Sequence, residues 1–203
     1  MNSKTFWTLG ALSLAACSGG EDTSAPVASS DSGGDTWQVL FDGTSLDRWN
    51  VVGDADWTVE GGTVRADQST GTSFLVSDVD YTDFDLSVEF WVDEPANSGI
   101  FLRCDNADML TAETCYEVNI YDTRPDPTYR TGALVNFAAP AEEVNTAGRW
   151  NRYEISAHGD RIAATLNGNQ MFDVEDSTHR SGPIGLQYGT GVVIFRNIRI
   201  RTP

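Results

Sequence analysis

The segment that decides the fold spans residues 83–92 and reads DFDLSVEFWV. Apolar side chains occupy every second position from Phe84 to Val92, and acidic or polar side chains mostly fill the positions between them. Successive side chains of a β-strand point to opposite faces, so this period of two predicts a strand with one buried face.

Further short segments of this kind follow at residues 99–104, 116–121, 133–137, 151–158, 161–166, 170–174, 184–188 and 192–201. Turn residues separate them, and Asn167-Gly168 is the strongest hairpin signal. No convincing amphipathic helix interrupts the series. Many short strands at regular spacing predict an all-β domain over residues 37–203, built as a sandwich or a barrel.

The N-terminus predicts export. Residues 1–16 combine Lys4 with an apolar run that is shorter than the roughly 20 residues needed to span a bilayer, which is typical of a signal peptide. Residues 14–18, LAACS, resemble a bacterial lipobox, in which Cys17 becomes the lipidated N-terminus. Ordinary secretion with a chance cysteine is the alternative. The residue after the cysteine is Ser18 and not an acidic residue, a pattern that resembles that of lipoproteins sorted to the outer membrane. We therefore expect a cell-envelope lipoprotein at the outer membrane.

Residues 17–36 are rich in Gly, Ser, Asp, Ala and Thr, and they predict a flexible tether. The chain as a whole carries a formal net charge of −17. This charge argues against nucleic acid or anionic lipid as a partner, because both have the same sign as the protein. We therefore expect membrane contact only through the lipid anchor.

Cys104 and Cys115 are the two cysteines that remain once Cys17 is set aside, and the predicted export places them in an oxidising compartment. They therefore predict a disulfide around the polar loop 105–114. On the chain-entropy account, a bridge closing such a loop stabilises by roughly 3 kcal/mol. The alternative, a metal-binding cysteine pair, lacks a nearby histidine.

Several ordered motifs carry a family resemblance. They are LFDG at 40–43, DWTVEGG at 56–62, NSGIFLR at 97–103, YEVNIYD at 116–122, GRWN at 148–151, LNG at 166–168, GPIGLQ at 182–187 and FRNIR at 195–199. Together they resemble the 3-keto-disaccharide hydrolase family. The resemblance implies a concanavalin A-like jelly-roll sandwich of two antiparallel sheets. It also implies hydrolysis or elimination of the glycosidic bond of 3-keto-glycosides, with a carbohydrate as the partner.

That chemistry has a simple basis. A ketone at C3 makes the C2 proton acidic, so a base can remove it and the enolate can expel the C1 oxygen. The site needs a carboxylate, a cation or hydrogen-bond donor for the enolate oxygen, and a proton source. A divalent metal ion can take the place of the cation or hydrogen-bond donor, and the sequence does not otherwise identify a cofactor.

Side-chain parity selects the catalytic candidates. If Ile100, Leu102, Val118 and Ile120 face the core, Arg103, Glu117 and Asn119 share the outer, concave sheet face. We expect Glu117 as the acid/base group and Arg103 as the charge stabiliser; the alternative is a structural ion pair. A disulfide directly across the ladder would instead pair Glu117 with Leu102, so at least one cysteine is expected outside the regular ladder.

Five residues are expected to bind substrate: Asn97, Asn119, Asp122, Gln187 and Tyr188. The alternative for Asn97 is closure of a turn, and the alternatives for Asp122 are cation binding and termination of the strand. The chain also departs from the family, which commonly has Gln at Asn119 and Asp-His where Tyr188-Gly189 stands. His158 and His179 lack a metal-ligand spacing and are expected at the surface. The missing histidine favours the alternative function, a non-catalytic carbohydrate-binding or surface-interaction module.

Overall fold

The computed structural model describes residues 36–203. The predicted signal peptide 1–16, Cys17 and the tether as far as residue 35 lie outside the described residues. Within residues 36–203, no helix has the length and apolar character needed to cross a membrane.

The described part of the chain contains thirteen strands and one short 3-10 helix at Pro127–Tyr129. The strands are β1 Gln38–Phe41, β2 Trp49–Val52, β3 Thr58–Glu60, β4 Thr63–Ala66, β5 Ser73–Ser77, β6 Phe84–Val92, β7 Ser98–Leu102, β8 Tyr116–Ile120, β9 Trp150–His158, β10 Arg161–Leu166, β11 Asn169–Glu175, β12 Gly185–Tyr188 and β13 Val193–Arg201.

The strands form two antiparallel sheets. The eight-stranded sheet has the order β11-β10-β9-β6-β13-β4-β3, with β1 also paired to β13. The five-stranded sheet has the order β2-β5-β12-β7-β8. This arrangement confirms the predicted two-sheet sandwich.

The predicted strand at residues 133–137 is wrong. Leu134 makes only isolated bridges, to Val118 and to Ala138. Asn136 adopts a positive φ of 71°, which turns the chain back so that Leu134 and Ala138 bond to each other. The segment therefore lies along the outer edge of β8, where Asn119 and Val135 donate backbone hydrogen bonds between them, without forming a further strand.

The core lies between the inner faces of the two sheets. From β6 it takes Phe84, Leu86, Val88 and Phe90, all fully buried. Each such side chain stabilises the fold by about 1.5–3 kcal/mol through burial alone. The five-stranded sheet contributes Ile100 and Leu102 from β7 and Val118 and Ile120 from β8, as the alternation predicted.

The predicted disulfide between Cys104 and Cys115 is confirmed. The loop that it closes lies across one end of the outer face of the five-stranded sheet. Leu110 from this loop sits so close to Gly185 that a β-carbon on that glycine would lie 2.3 Å from Leu110 Cδ2. Phe74, Val76 and Phe101 complete the apolar cluster beneath the loop.

Candidate functional site

The outer face of the five-stranded sheet gathers polar side chains on β7, β8 and β12. Ile100 pairs with Val118 and both point into the core, so the residues on either side of them point outward. On β8 these outward residues are Glu117 and Asn119, and Asn119 pairs with Gly99 on β7.

Strand β12 completes the row. Leu186 pairs with Ile100, which brings the next residue, Gln187, level with Gly99. A β-carbon on Gly99 would lie 3.2 Å from Glu117 Oε1 and 3.4 Å from Gln187 Oε1. Phe101 Cε2 would lie 3.3 Å away as well, so the absent side chain leaves a narrow hollow lined by these two oxygen atoms and the Phe101 ring. We call Gly99, Glu117, Asn119 and Gln187 the outer-face site.

Glu117 has the most unusual environment in this site. The residue is only 8% exposed. Burial raises the pKa of its carboxyl to about 7, because the charged form is poorly solvated; the charge of Arg124 opposes this shift and that of Glu113 adds to it. An acid with a pKa near 7 is suited to both taking and giving a proton at neutral pH.

Two amide oxygens in the site lack partners. Within residues 36–203, Gln187 Oε1 and Asn119 Oδ1 are buried and accept no hydrogen bond. The amide nitrogen of Asn119 donates to the carbonyl of Tyr129, which fixes its orientation. Leaving a buried acceptor unsatisfied costs roughly 1–3 kcal/mol, so a hydroxyl group that reached either oxygen would form a favourable hydrogen bond with it.

The cation near Glu117 is Arg124, which the sequence analysis missed. Its guanidinium lies 5.2 Å from the centre of the Tyr129 ring and is half-buried. Its backbone carbonyl accepts a 2.9 Å hydrogen bond from Arg130 Nε. Among the described residues, its guanidinium has no ion-pair or hydrogen-bond partner, so its charge is available to a ligand. In the sequence Arg124 is the second residue after the YEVNIYD motif, a position that does not by itself indicate a place in the site.

The prediction that Arg103 lies on the outer face of the sheet is wrong. This residue follows the last ladder pair of β7 and adopts a positive φ of 50°, which takes it out of the strand alternation. Its guanidinium is buried and donates to the carbonyls of Thr82 (2.7 Å) and Gly159 (2.8 Å), with Asp83 at 3.3 Å. Arg103 therefore ties loops together and takes no part in the outer-face site.

Two of the predicted substrate-binding residues, Asp122 and Tyr188, do not belong to the outer-face site. The carboxylate of Asp122 accepts hydrogen bonds from Thr131, Thr146 and Ala147, so it anchors loops. Tyr188 is 5% exposed and belongs to the core between the sheets. Tyr188 directly follows Gln187 on β12, and neighbouring side chains of a strand point to opposite faces, so only one of the two can face outward.

Asn97 lies at the far end of the same outer face. Its backbone pairs with Gly189, and a β-carbon on Gly189 would lie 2.9 Å from Asn97 Nδ2. The structure thus brings Glu117, Asn119 and Gln187 together and leaves Asn97 beside them. Their role in binding a substrate stays a prediction.

The histidines do not build a metal centre. His158 is exposed as expected, but His179 is 2% exposed, because its ring packs on Tyr116 and its Nδ1 lies 3.1 Å from Asp105. Within the described range, no three His, Cys, Asp or Glu side chains are grouped so as to hold a metal ion. The outer-face site supplies one carboxylate and two amide oxygens, which by themselves do not form a divalent-cation site of the usual kind.

No curated protein matches the chain in sequence. Among solved structures, the chain is similar to two candidate glycosyl hydrolases from Parabacteroides distasonis. One has a TM-score of 0.73 at 18% identity, covering 82% of this chain and 94% of the other. The second has a TM-score of 0.70 at 22% identity, covering 83% and 100%.

The carbohydrate-binding module CBM66 from Bacillus subtilis is also similar, with a TM-score of 0.62 at 18% identity, covering 76% of this chain and 96% of the module. Likeness at these identities establishes the fold, which is the predicted jelly-roll sandwich. The family of 3-keto-alpha-glucoside-1,2-lyase-like domains matches residues 36–201, nearly the whole described domain, and the chain therefore belongs to that family.

Proposed function

We propose that this protein cleaves the glycosidic bond of 3-keto-glycosides at the outer-face site. The observation that carries the proposal is the buried carboxyl of Glu117, whose pKa is raised to about 7, beside the unpaired oxygens of Asn119 and Gln187. A perturbed carboxyl in a polar hollow is a common property of catalytic sites. Family membership supplies the substrate class.

Glu117 is the base in the first step. Its carboxylate takes the proton from C2 of the sugar, and the C2–H electron pair forms the enolate of the C3 ketone. Negative charge develops on the C3 oxygen, which Arg124 stabilises as the nearby unpaired cation. Gln187 and Asn119 accept hydrogen bonds from sugar hydroxyls and hold C2 against Glu117.

The second step breaks the glycosidic bond. The enolate re-forms the C3 ketone and a C1=C2 double bond, and the C1–O1 electron pair leaves with the departing alcohol. Protonated Glu117 returns its proton to that oxygen, so the carboxylate is regenerated. Addition of water across the double bond would complete a net hydrolysis.

The predicted lipobox extends this proposal to location. With Cys17 lipidated, the enzyme would act at the cell envelope, held at the outer membrane by its lipid anchor. Residues 1–35 lie outside the described residues, so this part rests on the sequence alone.

The full chain is tested with a nitrophenyl 3-keto-α-glucoside, with the unoxidised nitrophenyl α-glucoside as the control. We expect nitrophenol release from the 3-keto substrate only, together with exchange of the C2 proton in D2O followed by NMR. Glu117→Gln should lower both rates by on the order of 100-fold or more. Equal cleavage of both substrates, or full activity in Glu117→Gln, contradicts the proposal.

A second candidate is a non-catalytic carbohydrate-binding module. It is favoured by Tyr188-Gly189, where the family resemblance leads us to expect Asp-His: Tyr188 packs in the core and Gly189 has no side chain, so neither supplies a second acid or base to the outer-face site. Binding of the 3-keto-glycoside without release of nitrophenol, both with and without added divalent metal, would support this module instead.

A further inference from the structure

The outer face of the eight-stranded sheet carries a groove that is separate from the outer-face site. Three cavities of about 380, 460 and 470 Å³ adjoin there. The second and third share Glu89 and Arg152 in their walls, and the first and third share Glu154. We call this continuous depression the sheet groove. Each part is within the volume range of ligand pockets.

Small residues form part of the floor of the sheet groove. Asp85, Ser156, Ala163 and Asp173 lie side by side across β6, β9, β10 and β11. The two central members, Ser156 and Ala163, have short side chains, and longer side chains stand on both sides of them. The row is therefore lower in the middle than at its margins.

Two half-buried tryptophans mark the ends of the sheet groove. Trp37 stands near Asp85, and Trp150 pairs with Trp91. Asp85 and Trp91 are six residues apart on one strand, so the groove extends about 20 Å along the strand direction. Arginine side chains stack on both rings: Arg201 on Trp37 at 5.2 Å and Arg196 on Trp150 at 3.8 Å. The length exceeds what a single sugar ring needs.

The walls of the sheet groove carry equal numbers of negative and positive side chains, although the chain as a whole is strongly acidic. Its walls contain five carboxylates and five guanidiniums, whereas the chain as a whole has a net charge of −17. Most are paired with each other, as in Arg161–Asp173 at 2.6 Å and Arg196–Glu89 at 2.7 Å. These pairs hold planar polar groups in fixed orientations. The balance suits a ligand with no charge of its own.

We propose that the sheet groove binds an uncharged linear oligosaccharide. Fixed carboxylates and guanidiniums match the hydroxyl groups of sugars, and the part of each half-buried tryptophan ring that the stacked arginines leave uncovered matches the apolar face of a sugar ring. The elongated shape requires several linked rings. This site does not depend on the chemistry of Glu117, and it would hold a glycan on the sheet that lies across the core from the outer-face site.

The test is isothermal titration calorimetry of the full chain carrying Glu117→Gln, which removes turnover. The probes are cellohexaose, maltohexaose, laminarihexaose and xylohexaose, with the corresponding disaccharides and a hexagalacturonate as the charged comparison. We expect at least one neutral hexasaccharide to bind more tightly than its disaccharide and than hexagalacturonate. Trp37→Ala should weaken that binding at least tenfold, and so should Ala163→Gln, which raises the floor. Tyr121→Ala, near the outer-face site, should leave it unchanged.

The melting temperature of each variant shows that it is folded. Ala163→Gln adds an exposed side chain and tests the groove even if Trp37→Ala unfolds. The inference is overturned if none of the four hexasaccharides binds. It is equally overturned if Asn119→Ala abolishes binding while Trp37→Ala and Ala163→Gln retain it, because the sugar would then occupy the outer-face site. Cleavage of the nitrophenyl 3-keto-glucoside, measured separately, reports on Glu117 in either case.

Discussion

Glu117 and Gln187 approach one bare backbone position from two strands that flank it. A β-carbon on Gly99 would lie 3.2 Å from the carboxyl oxygen of Glu117 and 3.4 Å from the amide oxygen of Gln187. We expect the reacting part of a substrate to approach these two oxygens over this bare position. The hollow exists because Gly99 has no side chain.

Gly99→Ala should therefore fill the hollow. The methyl group would be tightly placed against Glu117 and would displace a substrate, so we expect kcat/KM to fall by on the order of 100-fold. Gly71→Ala is the matched control, because a β-carbon there meets nothing within 4 Å. Similar kinetics for the two variants would show that the hollow is not used.

The stability of the protein should depend on Glu117 and pH. The pKa of this carboxyl is about 7 in the folded chain and near 4.5 in its ordinary state. Between these values the folded state binds more protons at this group, so the stability that Glu117 contributes is fully present below pH 4.5 and is lost as pH rises through 7. The loss is about 3 kcal/mol. Urea unfolding at pH 4.5 and pH 8 should show it in wild type, and Glu117→Gln should lose correspondingly less stability over that interval.

Arg124→Gln should change the pH dependence of catalysis. The guanidinium lowers the pKa of Glu117, so its removal should move the ascending limb of the kcat/KM profile to higher pH. Loss of charge stabilisation should also lower kcat by on the order of 100-fold. Arg124→Lys keeps the charge and should retain the wild-type limb. If the ascending limb of the kcat/KM profile does not move in Arg124→Gln, Arg124 does not act on Glu117 and has no role in the site.

Arg103→Met should affect stability instead of chemistry. It leaves the carbonyls of Thr82 and Gly159 without their donors, so we expect a loss of about 3 kcal/mol or more in the free energy of unfolding. Arg180→Met is the control, because its ion pair with Asp160 is exposed and its loss should cost about 0.5 kcal/mol or less. At a temperature where both are folded, kcat/KM should match wild type. A selective loss of kcat in Arg103→Met would restore it as a catalytic candidate.

Alternation in the sequence predicted most of the sandwich, because burial of one sheet face imposes a period of two on β6, β7 and β8. The failure at Arg103 has a local cause. Counting along β7 assumes an unbroken strand, whereas Arg103 is an extra residue in a positive-φ conformation. The disulfide held the clue: a direct Cys104–Cys115 pair would place Glu117 opposite Leu102, but Glu117 pairs with Phe101. Because Arg103 is one extra residue between Leu102 and Cys104, the disulfide and the Phe101–Glu117 pair can both form.

The other differences divide into two kinds. Tyr188 was predictable, since the alternation that turns Gln187 outward must turn its neighbour into the core. Arg124 was not, because it lies in an irregular loop after β8, where no periodicity indicates the direction of a side chain. Its proximity to Glu117 depends on the course of the loop, which the tertiary structure alone fixes.

The central claim is that Glu117 is a buried carboxyl poised between its two protonation states at neutral pH. The most direct measurement is a 13C NMR titration of the glutamate side-chain carboxyl carbons, with the Glu117 signal assigned by its loss in Glu117→Gln. The account predicts a midpoint at about pH 7. A midpoint near the ordinary value of 4.5 would contradict it, because Glu117 would then be a solvated carboxylate with no special capacity for proton transfer.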